Sequence, residues 1–100
     1  MQLQFEWDER KAHDNLGKHE VSFDEARTVF EDPLAYIFDD ELHSVDEMRE
    51  IIIGHSSSNR LLLVCFTERQ PALVRIISAR RATRREQRDY EEYGSFRERT

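Results

Sequence analysis

Six consecutive apolar residues, Leu61-Leu62-Leu63-Val64-Cys65-Phe66, constrain this chain more than any other feature. A strand with one wet face alternates apolar and polar residues, whereas an unbroken run demands cover on both faces. Turn-forming residues bound the run, Ser56-Ser57-Ser58-Asn59 before it and Gln70-Pro71 after it. Apolar segments flank both turns, Glu50-Ile51-Ile52-Ile53-Gly54 upstream and Ala72-Leu73-Val74-Arg75-Ile76-Ile77-Ser78 downstream. The pattern predicts a three-stranded antiparallel meander with Leu61–Thr67 at its centre. A chain of 100 residues supports one such core, since two would each be too small to stabilise.

Helices are predicted to supply one cover for that central strand. Leu3-Gln4-Phe5-Glu6-Trp7 alternates like a short strand, and Asp8 then caps a first helix on which Ala12, Leu16 and His19 form an inward stripe. Ser22-Phe23-Asp24-Glu25 is a capping box for a second helix, whose buried face is Phe23, Ala26, Val29 and Phe30 and whose stop is Asp32-Pro33. Leu34-Ala35-Tyr36-Ile37-Phe38 reads as a strand, followed by an acidic loop over Asp39–Glu47. Thr83-Arg84-Arg85-Glu86 caps a last helix that is expected to stop at Gly94, leaving 95–100 as a flexible tail. Arg81, Arg84, Arg85 and Arg88 share one arc that faces out, while Ala82, Glu86, Tyr90 and Tyr93 sit on the other side, where the tyrosines face the protein. The predicted class is α+β over 1–94, with two N-terminal helices and a C-terminal helix packed on a three- to four-stranded antiparallel sheet.

Charge is unevenly spread along the chain. Residues 1–50 hold 5 basic and 15 acidic side chains, a net of −10; residues 51–100 hold 10 basic and 6 acidic, a net of +4. All ten basic residues of the second half are Arg, whose planar fork matches phosphate oxygens. An acidic total of −6 argues against loose binding to bulk nucleic acid but leaves room for a compact phosphate site. The acidic half suits a basic partner protein. With no export leader and no apolar stretch of roughly 20 residues, a cytoplasmic chain without a membrane span is expected. Cys65 stands alone, and the four histidines lack metal-ligand spacing, so no disulfide, metal or cofactor is expected. Phosphate-loop and familiar hydrolase motifs do not occur.

Arg80 and Arg81 arrive at the end of a buried strand just before a helix N-terminus, where backbone N–H groups already favour an anion. Arg80 therefore either contacts phosphate or pairs with a carboxylate from the acidic first half. Glu68 beside Arg69 is either a general base or a turn residue paired with its neighbour. Lys11 is placed to reach a phosphate. Trp7 either stacks on a base or belongs to the core. His55, where a strand meets the serine-rich turn, is an acid–base candidate, and His19 is read as a buried or capping histidine.

The sequence resembles the BrnT family, the toxin halves of bacterial type II toxin–antitoxin pairs. The resemblance covers about residues 5–93 and rests on Phe5-Glu6-Trp7-Asp8, Lys11-Ala12, Asn15, Lys18-His19, Val21-Ser22-Phe23 and Glu25-Ala26. It continues through Asp32-Pro33, Arg49, Ile53-Gly54, Leu61 to Arg69, and Ile76-Ile77-Ser78-Ala79-Arg80-Arg81-Ala82-Thr83. It implies a RelE-like fold and metal-independent cleavage of single-stranded RNA. It also implies a cognate ribbon-helix-helix antitoxin, through which alone the protein would meet DNA. On this reading Arg80 holds the scissile phosphate with Arg69 or Arg49 assisting. Glu68, Lys11 and His55 are the proton-transfer candidates, and Arg81, Arg84 and Trp7 contact RNA. Glu20 departs from the family, whose members often carry Gly there. The rival reading is a non-catalytic module that binds a basic partner or nucleic acid.

Overall fold

The computed structural model describes residues 2–43 and 47–99, with side chains described as far as Tyr93. The elements run β1 (Gln4–Glu6), α1 (Glu9–His19), α2 (Phe23–Thr28), β2 (Tyr36–Asp39), β3 (Glu50–His55), β4 (Leu61–Gln70), β5 (Leu73–Arg81) and α3 (Arg84–Arg99). Both expected N-caps form. Asp8 accepts from the backbone N–H of Arg10 and Lys11, and Ser22 accepts from that of Glu25. The second capping box closes reciprocally: Thr83 N–H donates to Glu86 at 2.9 Å, and Glu86 N–H donates to Thr83 Oγ1 at 3.2 Å. Helix α3 does not stop at Gly94; its backbone continues to Arg99.

The meander β3-β4-β5 is antiparallel as expected, but the sheet has five strands in the order β1-β5-β4-β3-β2. It is also mixed, because β1 pairs parallel to β5, with Phe5 opposite Val74. A parallel pair needs a crossover, and here α1 to β4 together form it, so no local pattern announces the partner. The expected all-antiparallel sheet of three to four strands is corrected accordingly.

Helices α1 and α2 lie on one face, where Phe23, Ala26 and Val29 pack on Leu62, Val64, Phe66 and Ile76. Helix α3 crosses the opposite face, where Tyr90 packs on Ile53 and Leu63. Leu62 and Leu63 thus point into different cores, which explains why the β4 run is apolar throughout. The helices are not gathered on one side. At Gly54 a Cβ would stand 2.6 Å from Ala35 Cβ, so only glycine admits the chain that passes there.

On α1 the inward residue is Asn15 rather than Leu16, which is half exposed. Asn15 Nδ2 donates to the carbonyls of Val21 and Ala79, each at 2.9 Å, and Ala79 N–H donates back to Oδ1 at 3.1 Å. The short β1 leaves the far end of the β5 edge without a strand, and the Asn15 amide takes its place. No helix among the described residues is long and apolar enough to cross a membrane.

Candidate active site

Helix α3 covers only part of its face. Beside it a concavity of about 380 Å³ opens over Ile51, Leu63, Cys65 and Ile77. One wall comes from α1 and β5. Asn15 pins α1 to Ala79, and one helical turn further on His19 reaches the rim. Along β5 the register carries one extra residue: Phe66 faces Ile76 while Cys65 faces Ser78, so Ile77 forms a bulge. Ile76 and Ala79, three residues apart, therefore both point at the α1–α2 layer. Arg80 consequently turns to the concavity.

The Arg80 guanidinium is held in place. Its Nη1 and Nη2 donate to the two Glu86 oxygens at 2.7 and 2.8 Å, and Nη1 also reaches the Arg81 carbonyl at 3.2 Å. This pair, with the Thr83 N–H, draws the Glu86 carboxyl down to about 2. The Arg80 side chain remains 42% exposed, so the fork is oriented without being enclosed. Its carboxylate partner comes from α3, not from the acidic first half.

The other wall follows β2. Buried Asp40 sits beside a single turn of 3-10 helix, Glu41–His43, and His43 Nδ1 lies 3.0 Å from both Asp40 oxygens. A carboxylate there holds the proton on Nδ1 and leaves Nε2 to accept one. Arg49 lines the same wall. Cys65 Sγ donates to Asp40 at 3.7 Å, and burial with the nearby Asp40 charge pushes the thiol up to about 11. It stays protonated at neutral pH and is no nucleophile. Two imidazoles and two guanidinium groups thus surround one apolar floor. Among the described residues, no three His, Cys, Asp or Glu side chains gather as a metal site.

Residues 7–86 match the family model described as the ribonuclease toxin BrnT of type II toxin–antitoxin systems. The chain belongs to the BrnT family. Among solved structures, the crystal structure of the Brucella abortus ribonuclease toxin BrnT is similar, with a TM-score of 0.64 and 24% sequence identity. The match covers 82% of this chain and 99% of that one, and it shows the shared fold. Comparison with curated proteins gave no significant match.

Within this BrnT chain, Arg80 and Arg49 are the two expected site residues that the fold brings together. Glu68 and Arg69 lie just before the last residue of β4, Gln70, and Arg69 is the extra residue of a second bulge. At ~3.4 Å per residue they lie roughly 10–14 Å along the strand from Cys65, the nearest floor residue. Lys11 lines a separate shallow hollow on α1 with Asp8 and Asp14. His55 ends β3 with its ring centroid 5.6 Å from that of Tyr90, and its backbone N–H donates to Asp32 at 2.7 Å, outside the concavity. Trp7 packs edge-on against Phe23 at 5.9 Å as part of the core boundary. Arg81, at the end of β5, and Arg84, at the start of α3, are both exposed. Asp40, His43 and the rim position of His19 join the site without being among the residues expected from the sequence. The Asp-x-x-His spacing in Asp39–Glu47 was the available signal, since a single helical turn brings i and i+3 together.

Proposed function

We propose that this BrnT chain cleaves single-stranded RNA without a metal ion. His43, oriented by Asp40, takes the proton of a 2′-hydroxyl. The freed 2′-oxygen bonds to phosphorus while the bond from phosphorus to the 5′-oxygen breaks, and His19 across the concavity protonates that leaving oxygen. Arg80 and Arg49 face the non-bridging oxygens, where fixed guanidinium charge stabilises the phosphorane as it forms. The products are a 2′,3′-cyclic phosphate and a 5′-hydroxyl. Single strands are the substrate because their bases splay away from a backbone lying in the groove. A cognate ribbon-helix-helix antitoxin neutralises the chain, and DNA is met through that antitoxin alone.

The observation that carries this reading is the His43–Asp40 pair and Arg80 opening onto one concavity. Purified protein is expected to cut unstructured RNA in EDTA and leave 2′,3′-cyclic ends. His43→Ala is expected to lose roughly 10²–10⁴-fold in rate at an unchanged melting temperature. Cys65→Ala is expected to cut at the wild-type rate. A His43→Ala protein as fast as wild type would remove the proposed base. Tight RNA binding with no shortening in any preparation would favour the non-catalytic binding module instead.

A further inference from the structure

β2 is an outer strand of the sheet, and among the described residues no further strand pairs with its free side. Asp40 N–H donates to the Arg49 carbonyl at 2.9 Å, which makes these two a hydrogen-bonded pair. Such pairs alternate along an antiparallel ladder, so Phe38 with Ile51 and Tyr36 with Ile53 are the next bonded pairs. Ile37 and Asp39 therefore turn both N–H and C=O away from β3. Proteins ordinarily guard such an edge with Lys, Pro or a bulge. Here Ile37 is 51% and Phe38 41% exposed. The chain around it is acidic: Asp39 ends β2, Glu41 follows in the next turn, Glu50 pairs with Asp39 across the ladder, and Glu47 lies 3.6 Å from Arg49.

We propose that this edge receives an extended segment of the antitoxin as a sixth strand, a segment that alternates apolar with Lys or Arg side chains. The proposal rests on the reading that an antitoxin neutralises this chain. Main-chain bonds to Ile37 and Asp39 give affinity, and side-chain pairs over Ile37 and Phe38 give register. The acidic rim selects the occupant. A second copy would bring one rim against another, and RNA would bring phosphates against carboxylates, whereas a basic segment gains at every contact.

The test uses the full chain alone and mixed with the protein encoded by the adjoining reading frame. Hydrogen exchange at the amides of Ile37 and Asp39 is expected to be fast in the free chain and slowed at least tenfold in the mixture. Ile37→Pro removes an N–H that β3 does not use. It is expected to weaken binding at least tenfold, with the melting temperature and RNA cleavage unchanged. Asp39→Lys with Glu41→Lys, which keeps the backbone intact, is expected to weaken binding likewise. Binding that leaves both amides exchanging freely would overturn the edge proposal while sparing the antitoxin reading. No binding and no block of cleavage would overturn both. Slow exchange in the free chain, together with a dimeric mass, would assign the edge to a second copy and overturn the proposal.

Discussion

Glu20 holds φ 58° and ψ 33°, the left-handed conformation at the end of α1. A side chain there meets about 1–2 kcal/mol of steric strain. Glycine would relieve it while giving back about 0.5–1 kcal/mol of unfolded-chain freedom. Glu20→Gly is therefore expected to stabilise the fold by about 0.5–1 kcal/mol, seen as a higher urea midpoint at unchanged slope. The Glu20 carbonyl, which accepts from Arg60 at 3.0 Å, survives the change. Asn15 works in the opposite sense. Replacing it with Leu leaves the buried N–H and carbonyl of Ala79 without partners, at an expected cost of about 2–4 kcal/mol. A urea midpoint equal to wild type would show that water serves the β5 edge equally well. Ala79 precedes Arg80, so the same substitution is expected to slow RNA cleavage more than a stability-matched change elsewhere in the core.

At the scale of elements, α3 is tied to the sheet by apolar contact at Tyr90 and by the Arg80–Glu86 pair. The sign of the pH effect follows from Glu86. Its folded value of about 2 lies below the ordinary 4.5, so its stabilising contribution is complete above about 4.5 and fades as pH falls towards 2. Glu25 acts in the same direction, held down first by Arg60 and also by Ser56. Glu86→Gln is expected to flatten the fall of melting temperature between pH 5 and pH 2, on the order of the window those two values span. An unchanged profile would mean that Glu25 and other carboxylates carry the acid transition. The caps of all three helices were legible because each lies within four residues of sequence. The bulge at Ile77 was not. Strict alternation from Ile76 turns Arg80 towards the α1–α2 layer, and only the pairing with β4 reveals the extra residue.

For the molecule as a whole, a net charge of −6 sets how RNA is met. Few cations reach the concavity, so binding should release few counterions. With two or three phosphates held, log affinity is expected to fall against log salt with a slope of about −1.4 to −2.1. A slope near −5, at the order expected when many arginines join, would show that Arg81, Arg84, Arg85 and Arg88 also carry the strand. The same imbalance that keeps RNA contact local gives β2 its acidic rim.

The residues alone determined the caps, the meander, the class, the family and the Arg80-bearing junction between β5 and α3. Each is written in near neighbours or in a single unbroken apolar run, where hydrogen-bond reach and burial act locally. Tertiary structure alone decided that β1 lies parallel to β5, that α3 crosses the face opposite α1, and that His43, Asp40, His19 and Arg80 share a floor. Those facts depend on which sheet edge and which face remained open once the meander had formed. Residues 19, 40, 49 and 80 meet only after that choice, because burial and backbone pairing, rather than any spacing along the chain, bring them within reach.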